Sequence, residues 1–279
     1  ASMINKGFEF GVNYRDNIGK AKFTVGANFT KFILNEVTGL GDGGEETVNA
    51  DNIIRIGEPF KAYYGYNAIG IFQTEEQVAE APVQFGNDKT APGDLIYQDV
   101  SGPEGVPDGI IDAEDRTIIG DRNAELLMNF NGSVEYAGFD MNILLQGVSG
   151  IDRLIMGNGN LPFADDRSNA LQYWINRWTP EAPSANLPRI GGENNTIVSS
   201  FYVQDASYLR LKNLEIGYSL PADFLQKIEV TKLRVFIGAQ NLLTFTGLEN
   251  FDPERGAGRN SSRNAPLYKT ITFGINLKL

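Results

Sequence analysis

The chain has 279 residues, a formal net charge of −11 at pH 7 and a hydrophobic fraction of 42%. So acidic a chain argues against a nucleic-acid partner, because phosphate contacts need clusters of Lys and Arg. The chain has neither Cys nor His, which excludes disulfides, thiolate or histidine metal sites and Ser-His-Asp catalysis.

Hydropathy does not distinguish a soluble protein from a membrane β-barrel for this sequence. No secretory signal peptide is visible, since residues 1–6 lead straight into a strand pattern. No apolar run reaches the roughly 18 residues of a membrane helix. A soluble protein would look like this, and so would a membrane β-barrel, whose alternating strands hide their apolar face.

Seven segments alternate apolar and polar residues with a period of two, which predicts β-strands. They cover residues 7–15, 22–31, 126–136, 139–148, 208–220, 232–241 and 267–279. Short turns are predicted at 16–19 and 137–138, and a short connection with one helical turn at 221–231. Long irregular regions fill 35–123, about 149–200 and 242–266.

Strand, short turn, strand and long loop repeat three times before the final strand. Transmembrane β-barrels have this asymmetry, and loops of this length are unusual in a compact soluble domain. Aromatic residues near strand ends and an amide-rich polar face favour lipid outside the sheet. The aromatic positions are Tyr14, Phe29, Tyr136, Phe139 and Tyr218.

A soluble, secreted all-β domain that binds glycans is the alternative, because a β-sandwich or jelly roll shows the same alternation with its apolar side inward. Phe8, Phe130, Ile216 and Phe273 distinguish the two, since they meet in a sealed interior only in the soluble fold. Seven strands are too few for a closed bacterial barrel. We therefore expect further strands in the loops or a larger chain.

Short stretches that resemble those of one known protein family are spread over nearly the whole sequence, and we call them the family-like stretches. The most specific is QDASYLRLKNLEIGYSLP at 204–221. The others are NKGFE at 5–9, Gly65-Tyr66, GIFQ at 70–73, Gly93-Asp94, DAEDRTIIG at 112–120, RWTP at 177–180, NLLTFT at 241–246 and DPE at 252–254. In this order they resemble the C-terminal barrel region of the SusC/RagA family of TonB-dependent outer-membrane transporters of Bacteroidetes.

The resemblance implies an all-β, antiparallel transmembrane β-barrel of 22 strands, with residues 1–279 as its last third and long extracellular loops. It also implies a plug domain and a TonB box, neither of which has a counterpart here. The implied partners are TonB, a SusD-like surface lipoprotein, outer-membrane lipid and an oligosaccharide or peptide substrate. No enzymatic activity is implied. The family usually ends in an aromatic residue, whereas this sequence ends in Leu279.

The segment 99–115 within the first long region is an EF-hand-like candidate for Ca²⁺. Asp108-Gly109 followed by Asp112 and Asp115 matches the second half of such a loop, and Asp99 and Ser101 would supply the first ligands. The stretch 103–107 is inserted relative to the pattern, and the last ligand is Asp rather than Glu. A solvated turn held by side-chain-to-backbone hydrogen bonds is the alternative. No other cofactor is expected.

Two aromatic clusters are candidate substrate or partner contacts, because sugars stack on aromatic faces. The first loop carries Tyr63, Tyr64 and Tyr66, and the second carries Tyr173, Trp174 and Trp178. The second set has helical spacing, so its rings could instead pack a small core within the loop.

Two further sets of charged residues give weaker hypotheses. Arg255, Arg259 and Arg263 could contact lipopolysaccharide phosphates or lie on a solvated loop tip. Paired carboxylates at 45–46, 75–76 and 165–166 suggest glycoside hydrolase chemistry only weakly. Nothing in their sequence context would raise one of their pKa values, so surface charge is the favoured interpretation.

Overall fold

Seven long strands form one antiparallel sheet. The structure, a computed structural model, describes residues 2–41, 43–86, 89–102, 105–157, 160–164, 169–183, 186–225, 230–255 and 265–278. Numbered in chain order among all strands, the seven are β1 Ser2–Ile18, β2 Ala21–Gly39, β11 Leu126–Tyr136, β12 Phe139–Ser149, β15 Tyr208–Ser219, β16 Lys232–Thr246 and β17 Thr270–Lys278. They lie side by side in this order, as a meander. The seven predicted strands are thus confirmed.

Several predicted boundaries are wrong. β1 continues through 16–18, so the turn is the two-residue loop Gly19-Lys20 with Ile18 paired to Ala21. Strand β2 runs on to Gly39, and β16 runs on to Thr246. The last strand begins at Thr270 rather than at 267. Periodicity misses these ends because β1, β2 and β16 extend beyond their alternating stretch, whereas the alternation at 267–269 continues beyond the start of β17.

The short connections fit the local sequence. Ala137 and Gly138 both have positive φ, 50° and 87°, as the tight turns of β-hairpins require. The predicted helical turn between β15 and β16 is α2, Ala222–Leu225, while residues 226–229 lie outside the described part. The three short connections lie at one end of the meander and the long loops at the other.

The apolar face of the sheet is uncovered. Phe8 is 58% exposed, Ile216 41% and Phe273 77%, and Phe130 is half-buried. These side chains do not meet in a sealed interior, so the condition for the soluble fold is not met. The four side chains lie on the face that a barrel would turn toward lipid.

Aromatic residues line both margins of that face. Tyr136, Phe139 and Tyr218 occupy one cross-strand row near the short turns, and the last two rings lie 4.5 Å apart. Near the loop end Phe10 pairs with Phe29, and Phe245 lies in the same row. Mainly aliphatic rows separate the two margins, as the girdles of a membrane barrel would require.

The opposite face of the sheet is polar, and its side chains change from charged to neutral between the ends and the middle of the strands. Its middle rows carry amides, including Asn13, Asn131 and Asn213. Near the short turns, the Arg234 guanidinium contacts the carboxylates of Asp140 and Glu215. Charges thus concentrate toward the ends of the strands and neutral hydrogen-bonding groups toward the middle.

The long connections fold into a second body, here called the loop cap, comprising the described residues of 40–125, 150–207 and 247–269. Its short strands are β3 Glu46–Val48, β4 Asn52–Arg55, β5 Ala62–Gly65, β6 Ala68–Ile71, β7 Val83–Gln84, β8 Leu95–Tyr97, β9 Ile110–Ile111, β10 Thr117–Gly120, β13 Asp152–Leu154 and β14 Val203–Asp205, with helix α1 at Glu75–Glu80. They form one four-stranded and three two-stranded sheets. The region 35–123, expected to be irregular, is therefore structured.

Hydrophobic clusters join the long connections to one another. Tyr63 of β5 packs with Leu154, Met156 and Tyr202 of the second connection. Ile151 and Ile155 pack with Leu248 of the third. Nearly all buried apolar side chains of the described residues lie in the loop cap. Within the described residues, no helix has the length and apolar character needed to cross a membrane.

Candidate functional site

The tyrosines of the first loop point into separate cores. Because side chains alternate along a strand, Tyr63 and Tyr64 of β5 lie on opposite faces. Tyr63 is fully buried in one cluster, and Tyr64 is buried in another with Ile53 and Ala62. Tyr66 is half-buried, with its ring edge-on to Phe85 at 5.0 Å. In this arrangement Tyr63 and Tyr64 present no ring face to a solute, so their burial favours packing over substrate contact.

The second aromatic set behaves similarly, with one exception. Trp174 is 3% exposed, and its Nε1 donates to the Asn160 carbonyl at 2.8 Å. Trp178 is 9% exposed, and its Nε1 donates to Gln73 Oε1 at 3.2 Å. Tyr173 is half-buried, stacks on Trp174 and donates its hydroxyl to Asn160 Oδ1. Among these three, Tyr173 keeps the most accessible ring.

Two of the family-like stretches meet at a junction between the first and second loops. Gly93 has φ +91°, and a Cβ there would lie 2.5 Å from the Trp178 ring, so only glycine fits. The adjacent Asp94 is fully buried and accepts two hydrogen bonds from Arg189, at 2.7 and 2.9 Å. Asn195 Nδ2 donates to the same carboxylate. The hydrogen bonds to Asp94 raise the pKa of the Arg189 guanidinium.

A cavity of about 620 Å³ lies between the second and third loops, and we call it the amide cavity. Five amide side chains line it: Asn160, Asn176, Asn186, Asn250 and Gln204. The aromatic lining residues are Tyr173, Trp174, Phe201, Tyr202 and Phe251. Glu249 is its only charged lining residue among those the structure describes. Two of the predicted contacts, Tyr173 and Trp174, line the amide cavity.

The lining chemistry suits a neutral ligand. Each amide both donates and accepts hydrogen bonds, which matches sugar hydroxyls and peptide groups equally well. Burial raises the pKa of the Tyr173 hydroxyl, and burial raises that of Tyr202 well above its ordinary value. Both phenols therefore stay protonated donors at neutral pH. Aromatic rings beside amides are typical of sites that hold planar or ring-shaped solutes.

In the EF-hand-like segment the carboxylates hold backbone N–H groups. Asp115, fully buried, accepts from Val100 and Ser101 through Oδ1 and from Asp112 through Oδ2. Asp99 Oδ2 accepts from Gly109, and Asp112 Oδ1 caps the short 3₁₀ helix that follows.

No three acidic side chains of the described residues converge as a metal-binding group. This arrangement matches the hydrogen-bonded turn, and the Ca²⁺ site with Asp99, Ser101, Asp108, Asp112 and Asp115 stays a prediction. Pro103 and Glu104, within the inserted stretch, lie outside the described residues.

An ion cluster that the sequence did not predict ties the third loop to the sheet. Arg210 of β15 contacts Asp252 at 3.0 Å and Glu254 at 2.7 Å, and Lys212 contacts Glu254 at 2.9 Å. The Arg210 side chain is 3% exposed and that of Asp252 6%. The partners are 42 residues apart. The only signal was that both segments belong to family-like stretches.

The remaining charged residues singled out in the sequence are exposed or lie outside the described residues. Glu45, Glu46, Glu75 and Glu76 are exposed, which fits surface charge. The pair at 165–166 lies outside the described residues, as do Arg259 and Arg263. Arg255 is exposed beside the ion cluster, and its contact with lipopolysaccharide stays a prediction.

Comparison with known proteins covers the whole chain. "TonB-dependent receptor P3" of Formosa agariphila is 32% identical over 298 residues, spanning 99% of this chain. SusC of Bacteroides thetaiotaomicron, also named a TonB-dependent receptor, is 23% identical over 292 residues. Over nearly its whole length the chain is thus similar to proteins named TonB-dependent receptors, SusC among them. It covers 29% and 26% of the lengths of these two relatives. No family model matches the sequence.

Solved structures show the same fold. The RagAB peptide transporter superposes with a TM-score of 0.76 at 23% identity, over 99% of this chain and 29% of that chain. The RagAB importer in its "closed-closed" state gives 0.75 at 22% identity. The all-β, antiparallel fold class expected from the SusC/RagA resemblance is thus confirmed, and the closure of a 22-stranded transmembrane barrel stays a prediction.

Proposed function

We propose that this chain forms part of the wall and the outer loops of a TonB-dependent transporter in the outer membrane. The transporter would import oligosaccharides or peptides together with a SusD-like surface lipoprotein. TonB would supply energy through a plug domain. The relatives named TonB-dependent receptors and SusC support this proposal.

The observation that carries the proposal is the contrast between an uncovered apolar sheet face and a well-packed loop cap. An exposed apolar surface of this extent on a soluble protein would be an aggregation hazard. Facing acyl chains, the same surface stabilises the protein in the membrane. The polar face then lines the interior, and the loop cap stands in water.

The amide cavity is the proposed substrate site. Its amides and Tyr173 suit hydroxyl-rich sugars and peptide backbones alike, so both classes are kept as substrates. RagAB, whose structure this chain resembles, is a peptide transporter, which supports peptides as the substrate class. The shortage of charge in the cavity argues for neutral segments of either ligand.

Arginine substitutions at two isoleucines test the proposal that the apolar face of the sheet contacts lipid. Ile216 lies on the sheet face and is 41% exposed, whereas Ile69 lies in the loop cap and is 60% exposed. In lipid vesicles, Ile216→Arg should lower the free energy of unfolding by about 2 kcal/mol. Ile69→Arg should change it by less than about 0.5 kcal/mol. A soluble domain would tolerate both substitutions equally.

Amide deletions test the substrate site. Asn176→Ala and Asn186→Ala should each weaken binding of a panel of labelled neutral oligosaccharides and peptides about threefold to tenfold, since each removes roughly one hydrogen bond. Asn17→Ala, an exposed asparagine on the hairpin at the opposite end, is the control. Equal effects at all three positions would contradict the assignment.

A further inference from the structure

A short segment of the third loop, residues 247–255 and here called the strap, separates two cavities. On one side lies the amide cavity. On the other lies a cavity of about 510 Å³, here called the wall cavity, lined by Arg210 and Thr244 on the sheet and by Leu171 of the second loop. Asn250 and Phe251 of the strap line both. These two residues therefore form a common partition.

One end of the strap is fixed by hydrophobic packing. Leu248 is 5% exposed and packs with Ile151, Ile155 and Ala206. Beyond it, Asn250 is exposed and has φ +64°, a left-handed conformation that costs a non-glycine residue free energy. The chain thus bends sharply between the fixed end and the partition.

The other end is fixed by charge. Arg210 and Lys212 hold Asp252 and Glu254, as described above, and Arg210 Nε also donates to Thr244 Oγ1 at 2.8 Å. The register of β15 shifts at Lys212 against both neighbouring strands. Such a β-bulge re-aims side chains, and here Arg210 and Lys212 both reach Glu254. Phe251, next to Asp252, packs against the same hydrophobic cluster as Leu248, so the ion cluster and this packing together hold the strap.

We propose that the amide cavity and the wall cavity are successive subsites for the transported ligand, and that Arg210 is the positioning residue that keeps the strap closed between them. This inference rests on the proposed function. The wall cavity lies against the polar face of the sheet, which in a barrel lines the interior. A ligand held in the cap would pass the partition at Asn250 and Phe251 to reach it. Release of Asp252 and Glu254 opens that way.

This chain contains no cysteine, so a thiol introduced into it is the only one present once any cysteine elsewhere in the full receptor has been replaced. Leu171→Cys places a single thiol in the wall cavity, and the rate of its modification by a bulky polyethylene-glycol maleimide is measured on the full receptor in vesicles. Arg210→Ala should raise this rate at least about tenfold, because the buried Asp252 carboxylate loses its cationic partner and Glu254 keeps only Lys212. Arg210→Lys should give an intermediate rate. Arg55→Ala, which removes an exposed ion pair with Glu46, should leave the rate unchanged.

Glu254→Gln and Asp252→Asn serve if Arg210→Ala fails to fold, as judged by loss of the heat-dependent gel shift. Each should raise the labelling rate by less than Arg210→Ala does. An unchanged labelling rate in every variant that folds would contradict the proposal that Arg210 keeps the strap closed, and it would leave the proposed function intact. A raised rate in a receptor that takes up neither oligosaccharide nor peptide supports the strap and contradicts the proposed function.

Discussion

The sheet and the loop cap use the same side chains in opposite ways. Phe72 in the cap is 1% exposed, whereas Phe10 and Phe273 in the sheet are 58% and 77% exposed. A protein surrounded by water on all sides would not leave some phenylalanines this exposed, because removing a phenylalanine side chain from water is worth about 1.5–3 kcal/mol. The difference shows that the two regions are built for different surroundings. The cap buries its own hydrophobic clusters, whereas the apolar face of the sheet is uncovered by the described residues, which supports the proposal that this face contacts lipid.

Polar groups show the converse pattern. The cap buries Asp94, Asp115 and Asn195, each satisfied by hydrogen bonds from neighbouring groups. The sheet instead presents its amides and ion pairs along one open face. Buried polar networks therefore determine the shape of the cap, whereas alternation determines that of the sheet.

The largest expected effect lies at the junction of the first two loops. Asp94→Ala removes the partner of Arg189 and should lower the stability of the cap by about 3 kcal/mol. Lys89→Ala, which breaks an exposed ion pair with Glu193 between the same two loops, should cost less than about 1 kcal/mol. The two tryptophans, Trp174 and Trp178, both lie in the cap. Their fluorescence during denaturation therefore reports this region and not the sheet, and equal losses would contradict the role of Asp94.

A smaller effect is expected in the EF-hand-like segment. Asp115→Ala strands three backbone N–H groups and should cost about 2 kcal/mol, whereas Asp108→Ala loses one exposed hydrogen bond and should cost under about 1 kcal/mol. Both measurements are repeated with added Ca²⁺ and with a chelator. The hydrogen-bonded turn predicts the unequal losses without any Ca²⁺ dependence. Equal losses, together with stabilisation by Ca²⁺, would establish the ion site instead.

The smallest effect is a pH dependence at the strap. Burial by itself raises the pKa of Asp252, but the N–H groups of Leu267 and Glu254 and the Arg210 guanidinium together lower it below its ordinary value. A lowered folded-state pKa means that this stabilisation is present above the unfolded pKa, near 4, and is lost as pH falls through the folded value. Opening is measured at the acid pH itself, by labelling Leu171→Cys with a dipyridyl disulfide, which reacts with thiols at low pH, and the labelling rate should rise as pH falls below about 4. Asp252→Asn should abolish this acid response.

The sequence was informative where structure is local. Period-two alternation identified all seven long strands, because each side chain's face depends only on its own strand. Alternation alone did not show whether the apolar face is covered, and the exposure of Phe8, Ile216 and Phe273 shows that the described residues leave it uncovered. Strands of two to four residues, such as Val83–Gln84, carry too little periodicity to be recognised.

The site was less predictable, because its contacts are distant in sequence. Tyr63 and Tyr64 looked like one cluster, but adjacent positions on a strand face opposite ways. Arg210 and Asp252 gave no pairing signal across 42 residues. Tyr173 was proposed as a member of the aromatic cluster with Trp174 and Trp178. The amides that share its cavity gave no such signal, because they lie far apart in sequence, at positions 160, 176, 186, 204 and 250.

The most direct test of lipid facing is a spin-label scan of residues 233–240 in β16, one cysteine at a time, in the receptor reconstituted in vesicles. Val235, Ile237 and Ala239 should show high collision rates with oxygen, which concentrates in lipid. Arg234, Phe236 and Gly238 should instead collide with a water-soluble nickel reagent or be shielded from both. A scan without alternation, or with the apolar positions open to nickel, would contradict the account.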